Sequence, residues 1–545
     1  PTVLLMTRPF PGKVAVRGTK HMQDLPAIRH EILYGTRVVR CFADRPPTID
    51  AMLRATVARH PDAVAVVDGD RRMRYGELDD LVGRTAAGLL AMGYQPGERI
   101  ALLLDNRAEF VIAFLAAARA GLISVPMNTR QRRPEIAFVL RQNGSAAMIV
   151  DADCVDNLPD RDDVPTLRGV FVVGDAPEGT TPFDAIAKAG APPQSWPDVD
   201  QEDTLCLLYT SGTTGDPKGA MLTHVSTIHS LLHFKWACDM RTGDVTVLAV
   251  PASHVTGLVA VILAAINVGG TCVMMRGFKA RAFLELAERE GMTYSLMVPA
   301  MYTLCLMEPD FRDFDLSRWR IAGFGGAPMP HDTIQRLSDD LPGLVLQNAY
   351  GSTETTSPAT ILPAGAIHDH PDKVGKVLPL ADIIVVDEQG HEVAPGESGE
   401  LLIGGPMVVP GYWDNAEGNA KGFIGGYWVS GDVGSRDHEG YISVFDRKKD
   451  MINRAGFKIY CIEVENALAH HPDVIEAAVV GTPDPVLGER VHAVIHCGKA
   501  SVDRDDIRAF CAERLSDYKV PDFVTFLDTP LPRNANGKVM KHQLS

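Results

Sequence analysis

The hydrophobic pattern of the chain after residue 48 alternates between two periods. Short apolar runs such as Arg99–Asp105 and Ile123–Asn128 have the length and composition of buried strands. Between them lie longer segments with helical spacing of apolar residues, such as Glu109–Gly121. The same alternation returns over residues 245–324. Strands that alternate with helices in this way predict an α/β fold with largely parallel sheets.

The pattern changes after about residue 380. Apolar runs separated by glycine-rich turns at 381–393, 399–405 and 440–452 predict hairpins in a small β-rich subdomain. A final unit of about 95 residues reads as helix, two strands, helix and strand, which predicts a compact α+β domain.

We therefore predict a large N-terminal domain of two α/β subdomains with parallel-type sheets plus the small β-rich subdomain. A small mobile α+β domain follows. The expected division is an N-terminal extension at 1–47, the large domain at 48–446, a hinge at 447–450 and the C-terminal domain at 451–545.

The first 47 residues show little periodicity and are expected to form an arm. They carry apolar residues at Val3–Met6 and Ile32–Tyr34. We expect the arm to pack along the large domain or a partner subunit. Thr48 or Asp50 is the expected cap of the first helix.

Composition narrows the functional classes. The 53 basic and 69 acidic residues give a formal net charge of −16, which argues against a general nucleic-acid or anionic-membrane partner. The nine cysteines form no CxxC pair, so reduced and mostly buried thiols are expected. The apolar stretch Leu258–Ile266 is too short to span a bilayer, and residues 1–20 contain no apolar run of signal-peptide length. We expect a cytoplasmic protein without membrane insertion.

One segment, Leu207–His224, has the composition of a phosphate cradle. Its apolar strand leads into a loop with three glycines, four hydroxyl residues and Lys218. Glycines let backbone N–H groups approach an anion, and hydroxyls add donors. The spacing does not match a Walker loop, because Lys218 follows Pro217 and precedes Gly219. Composition alone favours neither a phosphate cradle nor an ordinary surface loop.

Together with later segments, this loop resembles the AMP-forming adenylating enzymes. That family contains acyl-CoA synthetases, aryl-CoA ligases, peptide-synthetase adenylation domains and firefly-type luciferases, and the chain is most similar to an acyl-CoA synthetase. The resemblance covers residues 48–545. Its segments, in the family's order, are Tyr209–His224, Gly325–Pro328, Gln347–Thr355, Tyr427–Asp432, Tyr441–Asn453 and Pro532–Lys538.

The resemblance implies a two-step reaction with ATP, CoA and Mg²⁺. A carboxylate and ATP form acyl-AMP and pyrophosphate, and the CoA sulfur then displaces AMP. It also implies catalytic roles for Lys538, Glu354, Thr353 and His254, with Glu354 and Thr214 at the metal. Lys538 would place positive charge at the α-phosphate, and His254 would act as a gate between the acyl and CoA channels. The implied ATP-binding residues are Thr210, Ser211, Gly212, Thr213, Thr214, Gly215, Lys218, Gly326, Ala327, Pro328, Asn348, Ala349, Tyr350, Gly351, Ser352, Asp432 and Arg447.

The charged run Asp446–Asp450 acquires a role from the same resemblance. Lys449 matches the hinge about which the small domain rotates between the two steps, although charge runs are more often solvated surface. After rotation, Ala455, Gly456 and Phe457 would lie on the CoA side. Asn453 stands where many relatives have Lys, which removes a charge from that loop.

The absence of one acidic residue restricts the class of carboxylic acid that the protein is expected to bind. Amino-acid-activating members place an Asp within the segment that matches Ser253–Gly257, and this chain has none there. The acid is therefore expected to lack an α-amino group and to be an aliphatic or aryl carboxylate of modest size. The implied acyl pocket is Val255, Gly257, Met301, Tyr302, Phe324 and Gly325.

Two alternatives stay open at this stage. One is a ligase that passes acyl-AMP to a carrier-protein thiol, and the other is a non-catalytic nucleotide-binding relative. A homodimer is also left open.

Overall fold

The computed structural model describes residues 25–177, 180–210, 217–455, 457–497, 502–533 and 539–544. The strands, in chain order, are Ile28–Leu33 (β1), Arg37–Phe42 (β2), Val64–Asp68 (β3), Arg71–Arg74 (β4), Arg99–Leu103 (β5), Ile123–Pro126 (β6), Ala147–Asp151 (β7), Gly169–Val173 (β8), Thr181–Pro182 (β9), Thr204–Thr210 (β10), Lys218–Thr223 (β11), Val245–Leu248 (β12), Thr271–Met274 (β13), Tyr294–Met297 (β14), Ile321–Phe324 (β15), Val345–Ser352 (β16), Ser357–Ile361 (β17), Gly375–Val377 (β18), Asp382–Val386 (β19), Ser398–Gly404 (β20), Phe423–Ile424 (β21), Tyr427–Arg436 (β22), Tyr441–Arg447 (β23), Ile452–Arg454 (β24), Phe457–Ile459 (β25), Val474–Asp484 (β26), Gly488–Cys497 (β27) and Phe523–Leu527 (β28).

The α-helices are Ile49–Arg59 (α1), Tyr75–Ala91 (α2), Ala108–Arg119 (α3), Arg133–Asn143 (α4), His224–Ala237 (α5), Ala264–Val268 (α6), Ala280–Glu290 (α7), Pro299–Leu306 (α8), His331–Asp340 (α9), Ala416–Gly422 (α10), Cys461–Ala469 (α11) and Arg504–Ala512 (α12). A π-helical segment, Thr256–Leu263, runs directly into α6. Short 3₁₀ turns are Ala152–Asn157, Arg161–Asp163, Phe183–Lys188, Phe311–Asp313, Thr353–Thr355, Asp517–Lys519 and Lys541–Gln543.

Two sheets form the body of the molecule. The first has the order β11-β10-β6-β5-β7-β8-β9, and its strands are parallel except for the β10–β11 pair. The second contains the parallel strands β16-β15-β14-β12-β13-β3, with β4 antiparallel at its edge. The largest hydrophobic core joins residues of both sheets with helices α1, α2, α3 and α5. This architecture confirms the predicted fold class.

The predicted β-rich subdomain continues the second sheet. Strand β16 pairs parallel with β15 over Val345–Asn348 and antiparallel with β17 from Ala349 onward. Beyond β17 the order is β18-β23-β22-β20-β19, all antiparallel. One strand therefore changes partner and direction of pairing in mid-course. Ligands of open α/β sheets bind at such switch points, near the carboxyl ends of the strands.

The C-terminal unit has its own sheet, β25-β24-β27-β26 with β28 parallel to β27, and its own core around Val464, Val479 and Ile495. Several contacts join it to the large body, including a ring contact between Tyr460 and Phe445. The Asp446 carboxylate accepts the backbone N–H of Cys461 at the start of α11, and Lys458 Nζ lies 2.8 Å from Glu388 Oε1. The domain boundaries and the mobility of this unit stay predictions.

The described part of the arm contains two strands that its sequence did not indicate. Residues 28–42 lack a clear pattern in sequence, yet they form the antiparallel hairpin β1–β2. The hairpin packs on the large body, because Leu33 and Cys41 join Val225 of α5 in one small core. Residues 1–24 lie outside the described residues. As predicted, Thr48 caps α1, and its side chain accepts the N–H of Ala51.

All nine cysteines are free, and eight of them are buried, as expected. Among the helices of the described residues, none combines the length and the apolar character that crossing a membrane would require.

Candidate active site

The switch strand β16 carries the predicted segment Asn348–Ser352. Asn348 is buried, and its side-chain amide donates to the carbonyl of Lys373 over 3.2 Å. Gly351 must be glycine, because a Cβ there would lie 1.6 Å from the carbonyl oxygen of Ser357. The structure thus brings the segment to the point where the sheet changes its pairing.

Tyr350 meets two other predicted ATP-binding residues, Asp432 and Arg447, at this point. Its hydroxyl donates to Asp432 Oδ2 over 2.6 Å, and Arg447 Nε lies 2.8 Å from Asp432 Oδ1. Asp432 and Arg447 are register partners on β22 and β23. Burial, with the nearby Asp432 charge, raises the pKa of Tyr350 well above its ordinary value, so the hydroxyl stays a donor. Ser430 Oγ accepts the backbone N–H of Asp432 over 3.0 Å.

Glu354 lies in the 3₁₀ turn directly after β16 and is 5% exposed. Its Oε2 accepts from Ser352 Oγ over 2.6 Å, and its Oε1 accepts from the Tyr412 hydroxyl over 2.9 Å. The turn also contains the buried residue Thr353. Burial and the Glu354 charge raise the pKa of Tyr412, so this phenol also remains a donor.

The ends of the predicted phosphate loop converge on the same place. Thr210 and Lys218 are register partners at the open end of the β10–β11 hairpin. Lys218 Nζ lies 5.2 Å from the ring centroid of Tyr412, which is within cation–π range. Residues 211–216 lie outside the described residues, and they include the predicted Ser211, Gly212, Thr213, Thr214 and Gly215.

The predicted adenine-side loop follows β15 and lies next to β16. A Cβ on Gly325 would lie 2.4 Å from the carbonyl oxygen of Ala349, so the two segments touch through backbone. Gly326 has φ +80°, a left-handed conformation that suits glycine. Gly326, Ala327 and Pro328 are exposed.

His254 lies at the start of the segment that becomes the π-helix. Its Nδ1 accepts the backbone N–H of Thr256 over 3.2 Å, which leaves the proton on Nε2. Burial lowers the pKa of His254, so the ring is neutral near pH 7. Val255 and Gly257 follow it and are buried.

The other predicted acyl-pocket residues are divided between two environments. Met301 is half-buried. Tyr302 and Phe324 have no exposed surface and belong to the second hydrophobic core. The Tyr302 hydroxyl is already used, since it donates to the Gly323 carbonyl over 2.5 Å. Their contact with an acyl group stays a prediction.

The hinge and CoA-side residues lie apart from the Asp432–Glu354 cluster. Lys449 is in the turn after β23, with its side chain 47% exposed. Ala455 has φ +51°, and the Phe457 ring stacks on Tyr518 with centroids 4.6 Å apart. Gly456 and the predicted catalytic Lys538 lie outside the described residues.

Two residues of the site were missed by sequence reasoning. Tyr412 lies in a segment whose backbone pairs with β11 at Ala220, which brings its hydroxyl to Glu354. Arg37 of the arm hairpin donates to the carbonyls of Val408, Val409 and Pro410, at 3.3, 2.9 and 2.9 Å. The backbone N–H of Val409 in turn donates to the carbonyl of Glu354 over 3.0 Å. The sequence of the arm contains no signal that would have revealed the Arg37 contacts.

The donor set suits a magnesium ion that arrives with a nucleotide. Among the described residues there is no group of three or more His, Cys, Asp or Glu that could hold a metal by itself. Glu354 is a buried carboxylate whose oxygens each accept one hydroxyl, which leaves lone pairs for a cation. Mg²⁺ commonly takes one or two carboxylates and completes its shell with phosphates and water.

Comparisons with known proteins agree with this geometry. The AMP-binding enzyme family model matches residues 53–413, and the model of the AMP-binding enzyme C-terminal domain matches residues 463–538. A feruloyl-CoA synthase from Amycolatopsis is 34% identical over 485 residues, covering 89% of this chain and 96% of the relative. A long-chain-fatty-acid–CoA ligase from Mycobacterium tuberculosis is 32% identical over 496 residues, covering 90% and 95%.

A solved structure shows the same fold. The o-succinylbenzoate coenzyme A synthetase of Bacillus subtilis, in complex with ATP and a magnesium ion, superposes with a TM-score of 0.81 at 28% identity. The match covers 92% of this chain and all of that one. The chain therefore belongs to the AMP-binding enzyme family, as an AMP-forming acyl-CoA synthetase.

Proposed function

We propose that the protein joins an aliphatic or aryl carboxylic acid without an α-amino group to CoA, through an acyl-AMP intermediate. The observation that carries the proposal is the arrangement around β16. One strand and its following turn bring Tyr350 to the Asp432–Arg447 pair and Glu354 to Tyr412. The Tyr412 ring in turn lies 5.2 Å from Lys218 Nζ. Relatives are named for both an aryl acid and long-chain fatty acids, which supports this breadth of substrate class.

Asp432 is the proposed anchor for the ribose. It is 4% exposed and paired with Arg447, and its carboxylate oxygens can accept from sugar hydroxyls. Tyr350 fixes one carboxylate oxygen and offers its ring to the base. The exposed loop Gly326–Pro328 and the backbone of Ala349 complete the proposed nucleotide site.

Glu354 is the proposed protein ligand of Mg²⁺, with Thr214 as a hydroxyl partner. When bound with ATP, the ion would offset phosphate charge. Ser352 and Tyr412 hold the Glu354 carboxylate in one orientation, and Thr353 adds a hydroxyl on the same turn.

In the first step, one bond forms and one bond breaks. A carboxylate oxygen attacks the α-phosphorus, the bond to the β-phosphate bridging oxygen breaks, and pyrophosphate leaves. Both reactants are anions, so local positive charge is needed in the transition state. Lys538 is the proposed source at the α-phosphate. Residues 210–215 and Lys218 are the proposed cradle of the β- and γ-phosphates.

In the second step the CoA thiolate attacks the acyl carbonyl carbon, and the bond to AMP breaks. We infer that the 451–545 domain rotates about Lys449 between the steps, which would carry Ala455, Gly456 and Phe457 to the CoA channel. Asn453 supplies an amide and no charge in that loop. His254, neutral near pH 7, is the proposed gate between the two channels.

The acid itself would lie beside Val255, Gly257 and Met301. Those residues are mostly apolar, and Ser253–Gly257 contains no carboxylate that could pair an ammonium group. Nine free cysteines support a reducing, cytoplasmic location.

A panel of carboxylic acids tests the proposal. Release of pyrophosphate and AMP is measured with and without CoA. We expect thioester and AMP to appear only when an acid, ATP and CoA are all present. Acyl transfer that needs a carrier-protein thiol in place of CoA, with release of AMP, would favour the carrier-loading alternative. Nucleotide binding without turnover of any acid would favour a non-catalytic relative.

A further inference from the structure

The chain enters and leaves the predicted catalytic segment at neighbouring points of the C-terminal domain. Arg533 and Val539 form an isolated antiparallel bridge. The backbone N–H of Met540 donates to the carbonyl of Pro532 over 2.8 Å. Residues 534–538, between these contacts, lie outside the described residues. The flanking segments pack into one small core, which contains Ala478, Val494, Leu527, Leu531, Val539 and Leu544. The two ends of the connection are therefore held side by side on the small domain.

A carboxylate of β26 holds the end that comes before residue 534. Glu476 Oε1 accepts the backbone N–H of Leu531 over 2.7 Å. Its Oε2 accepts from the guanidinium of Arg533. Hydrogen bonds to a charged group are stronger than neutral ones, and two bonds from one carboxylate restrict both position and orientation. Glu476 thus fixes the segment 531–533 on the sheet of the small domain.

A carboxylate of α11 holds the other end. Lys541 Nζ lies 2.7 Å from Glu465 Oε1, and the two side chains are 23% and 19% exposed. The same Glu465 oxygen accepts the backbone N–H of Val479 on β26 over 2.8 Å. Burial alone would lower the pKa of Lys541, but the nearby Glu465 charge raises it to about 12, so the ammonium group stays charged. Lys541 is therefore tied to a carboxylate that is itself fixed to the sheet.

Lys538 lies between these two anchors in sequence, five residues after Arg533 and three residues before Lys541. A side chain that stabilises charge in a transition state must be held within roughly 0.5 Å of its productive position. Misplacement by about 1 Å can cost about 100-fold in rate. Partly exposed ion pairs contribute little to the stability of a fold, so the main effect of these two is expected on the position of the segment between them.

We propose that Glu465 and Glu476 are positioning residues for Lys538. Glu465 acts through Lys541, and Glu476 acts through Arg533. Together they set the place from which the Lys538 amine reaches the α-phosphate. This inference rests on the proposed ligase function and on the proposed role of Lys538 in its first step. Both glutamates therefore act in acyl-AMP formation and not in thioester formation.

The two half-reactions of Glu465→Gln and Glu476→Gln test the proposal. The first step is followed by pyrophosphate release with an acid that the wild type accepts, and the second by thioester formation from supplied acyl-AMP and CoA. We expect kcat of the first step to fall by about tenfold or more, with little change in KM for MgATP or in the second step. Lys541→Met should behave like Glu465→Gln, whereas Lys541→Arg, which keeps the charge, should retain most of the rate.

The Lys538→Ala background gives a result that a merely structural role would not give. If the two glutamates act through the Lys538 amine, their effect disappears once that amine is absent. Glu465→Gln and Glu476→Gln should therefore leave the residual first-step rate of Lys538→Ala unchanged.

Glu463→Gln is the matched control. Glu463 lies on the same helix, α11, and its carboxylate pairs with Lys519 Nζ at 2.6 Å. Lys519 belongs to the 3₁₀ turn at 517–519, outside the segments that flank Lys538. The control should keep both half-reactions near the wild-type rates. The Tm of each variant identifies any loss of folding, and the two glutamates give independent variants because they hold opposite ends of the connection.

An unchanged first step in both glutamate variants overturns the inference. Equal losses in the two half-reactions, or a further loss in the Lys538→Ala background, overturn it as well. These outcomes leave the ligase proposal intact, because the wild type still turns over the acid. If the wild type releases no pyrophosphate with any acid of the panel, the ligase proposal and this inference fail together, so the two failures are distinguishable.

Discussion

At the scale of single residues, the two buried carboxylates of the site are held in different ways. Asp432 is paired with a cation, Arg447, whereas the Glu354 carboxylate accepts, among the described residues, only the hydroxyl groups of Ser352 and Tyr412. A hydroxyl orients a carboxylate without neutralising it. This difference supports the proposed roles, with Glu354 as the ligand of a cation and Asp432 as the acceptor of uncharged sugar hydroxyls.

Tyr412→Phe should weaken acyl-AMP formation through Glu354. Loss of one hydrogen bond to a charged group removes about 1.5–3 kcal/mol of interaction, so we expect a fall of roughly 10- to 100-fold in kcat/KM for MgATP. The Mg²⁺ concentration for half-maximal rate should rise. Pyrophosphate exchange at varied Mg²⁺ measures both.

Tyr427→Phe is the control, because the Tyr427 hydroxyl bonds Asp382 in the β-rich region. It should leave the Mg²⁺ dependence unchanged. An unaltered Mg²⁺ requirement in Tyr412→Phe would remove Tyr412 from the site.

At the scale of elements, the arm hairpin reinforces the segment that holds Glu354. Arg37 donates to three successive carbonyls at 408–410, and its guanidinium also lies 5.7 Å from the Phe423 ring centroid. The family model begins at residue 53, after the hairpin. Arg37 thus lies outside the matched region, whereas the 408–410 carbonyls that it contacts lie within it.

Arg37→Ala should lower both stability and adenylation. Three carbonyls would lose their donor, and the Val409 contact to Glu354 would loosen. We expect a loss of about 1–3 kcal/mol in the free energy of unfolding and a lower kcat for pyrophosphate exchange. Urea titration and exchange kinetics measure the two effects.

Arg40→Ala is the matched control for Arg37→Ala, since Arg40 lies on the same strand and donates to one carbonyl, that of Pro379. Similar losses in both variants would mean that Arg37 has no special effect on the Glu354 turn.

Helix α5 should also make stability depend on pH. Burial lowers the pKa of His224 and His229 to about 4 and that of His233 to about 3, from about 6.5. The unfolded chain therefore binds more protons between pH 6.5 and 4, so stability is full above pH 6.5 and falls as the pH falls. Each histidine adds a slope of at most about 1.4 kcal/mol per pH unit.

His233→Leu should flatten this dependence between pH 7 and 5. Urea unfolding at several pH values measures the slope. An identical slope in wild type and variant would contradict the buried neutral state of His233.

The elements also indicate how far sequence reasoning reaches. Strand β5 and helix α3 were both predicted from their apolar residues. The run of β5 is short and buried on both faces, whereas the apolar segment of α3 has the length of a helix. The arm hairpin was missed because β1 is largely exposed and lacks alternation. The π-helical segment was predicted only as helix, since Thr256–Leu263 is apolar on nearly all sides and its pattern does not reveal the backbone.

The site residues divide in the same way, into those that local motifs indicate and those that only the fold brings together. Loop motifs identified Glu354, Asp432 and Lys218 because their residue types and order are local in sequence. Tyr412 lies 58 residues from Glu354 in sequence, and Arg37 is connected to Glu354 through the 408–410 segment. Only the fold brings these residues together. The continuity of the β-rich region with the second sheet likewise depends on β16 changing partners.

At the scale of the whole molecule, the net negative charge means that nucleotide binding depends on positive side chains close to the site. The net charge of −16 opposes polyanions such as ATP and CoA. Binding must therefore depend on cations placed at the site, with Lys218, Arg447 and Lys538 as the proposed set.

The contacts across 447–450 define the present position of the small domain. Rotation about Lys449 would separate Asp446 from the Cys461 N–H and Lys458 from Glu388. Lys449→Pro, which restricts φ at the hinge, should lower the rate of the CoA step by about tenfold or more and change adenylation little. Lys449→Ala, which removes only the charge, should leave both steps near wild type. Equal CoA-step rates in the two variants would exclude Lys449 as the hinge.

The two half-reactions of Lys538→Ala test the central claim most directly. Acyl-AMP formation is followed by pyrophosphate release, and the second step is followed by thioester formation from supplied acyl-AMP and CoA. Loss of one transition-state contact costs about 3–4 kcal/mol, so we predict a fall of about 10²- to 10³-fold in the first step and a nearly unchanged second step. Equal losses in both steps, or an unaffected first step, would contradict the account.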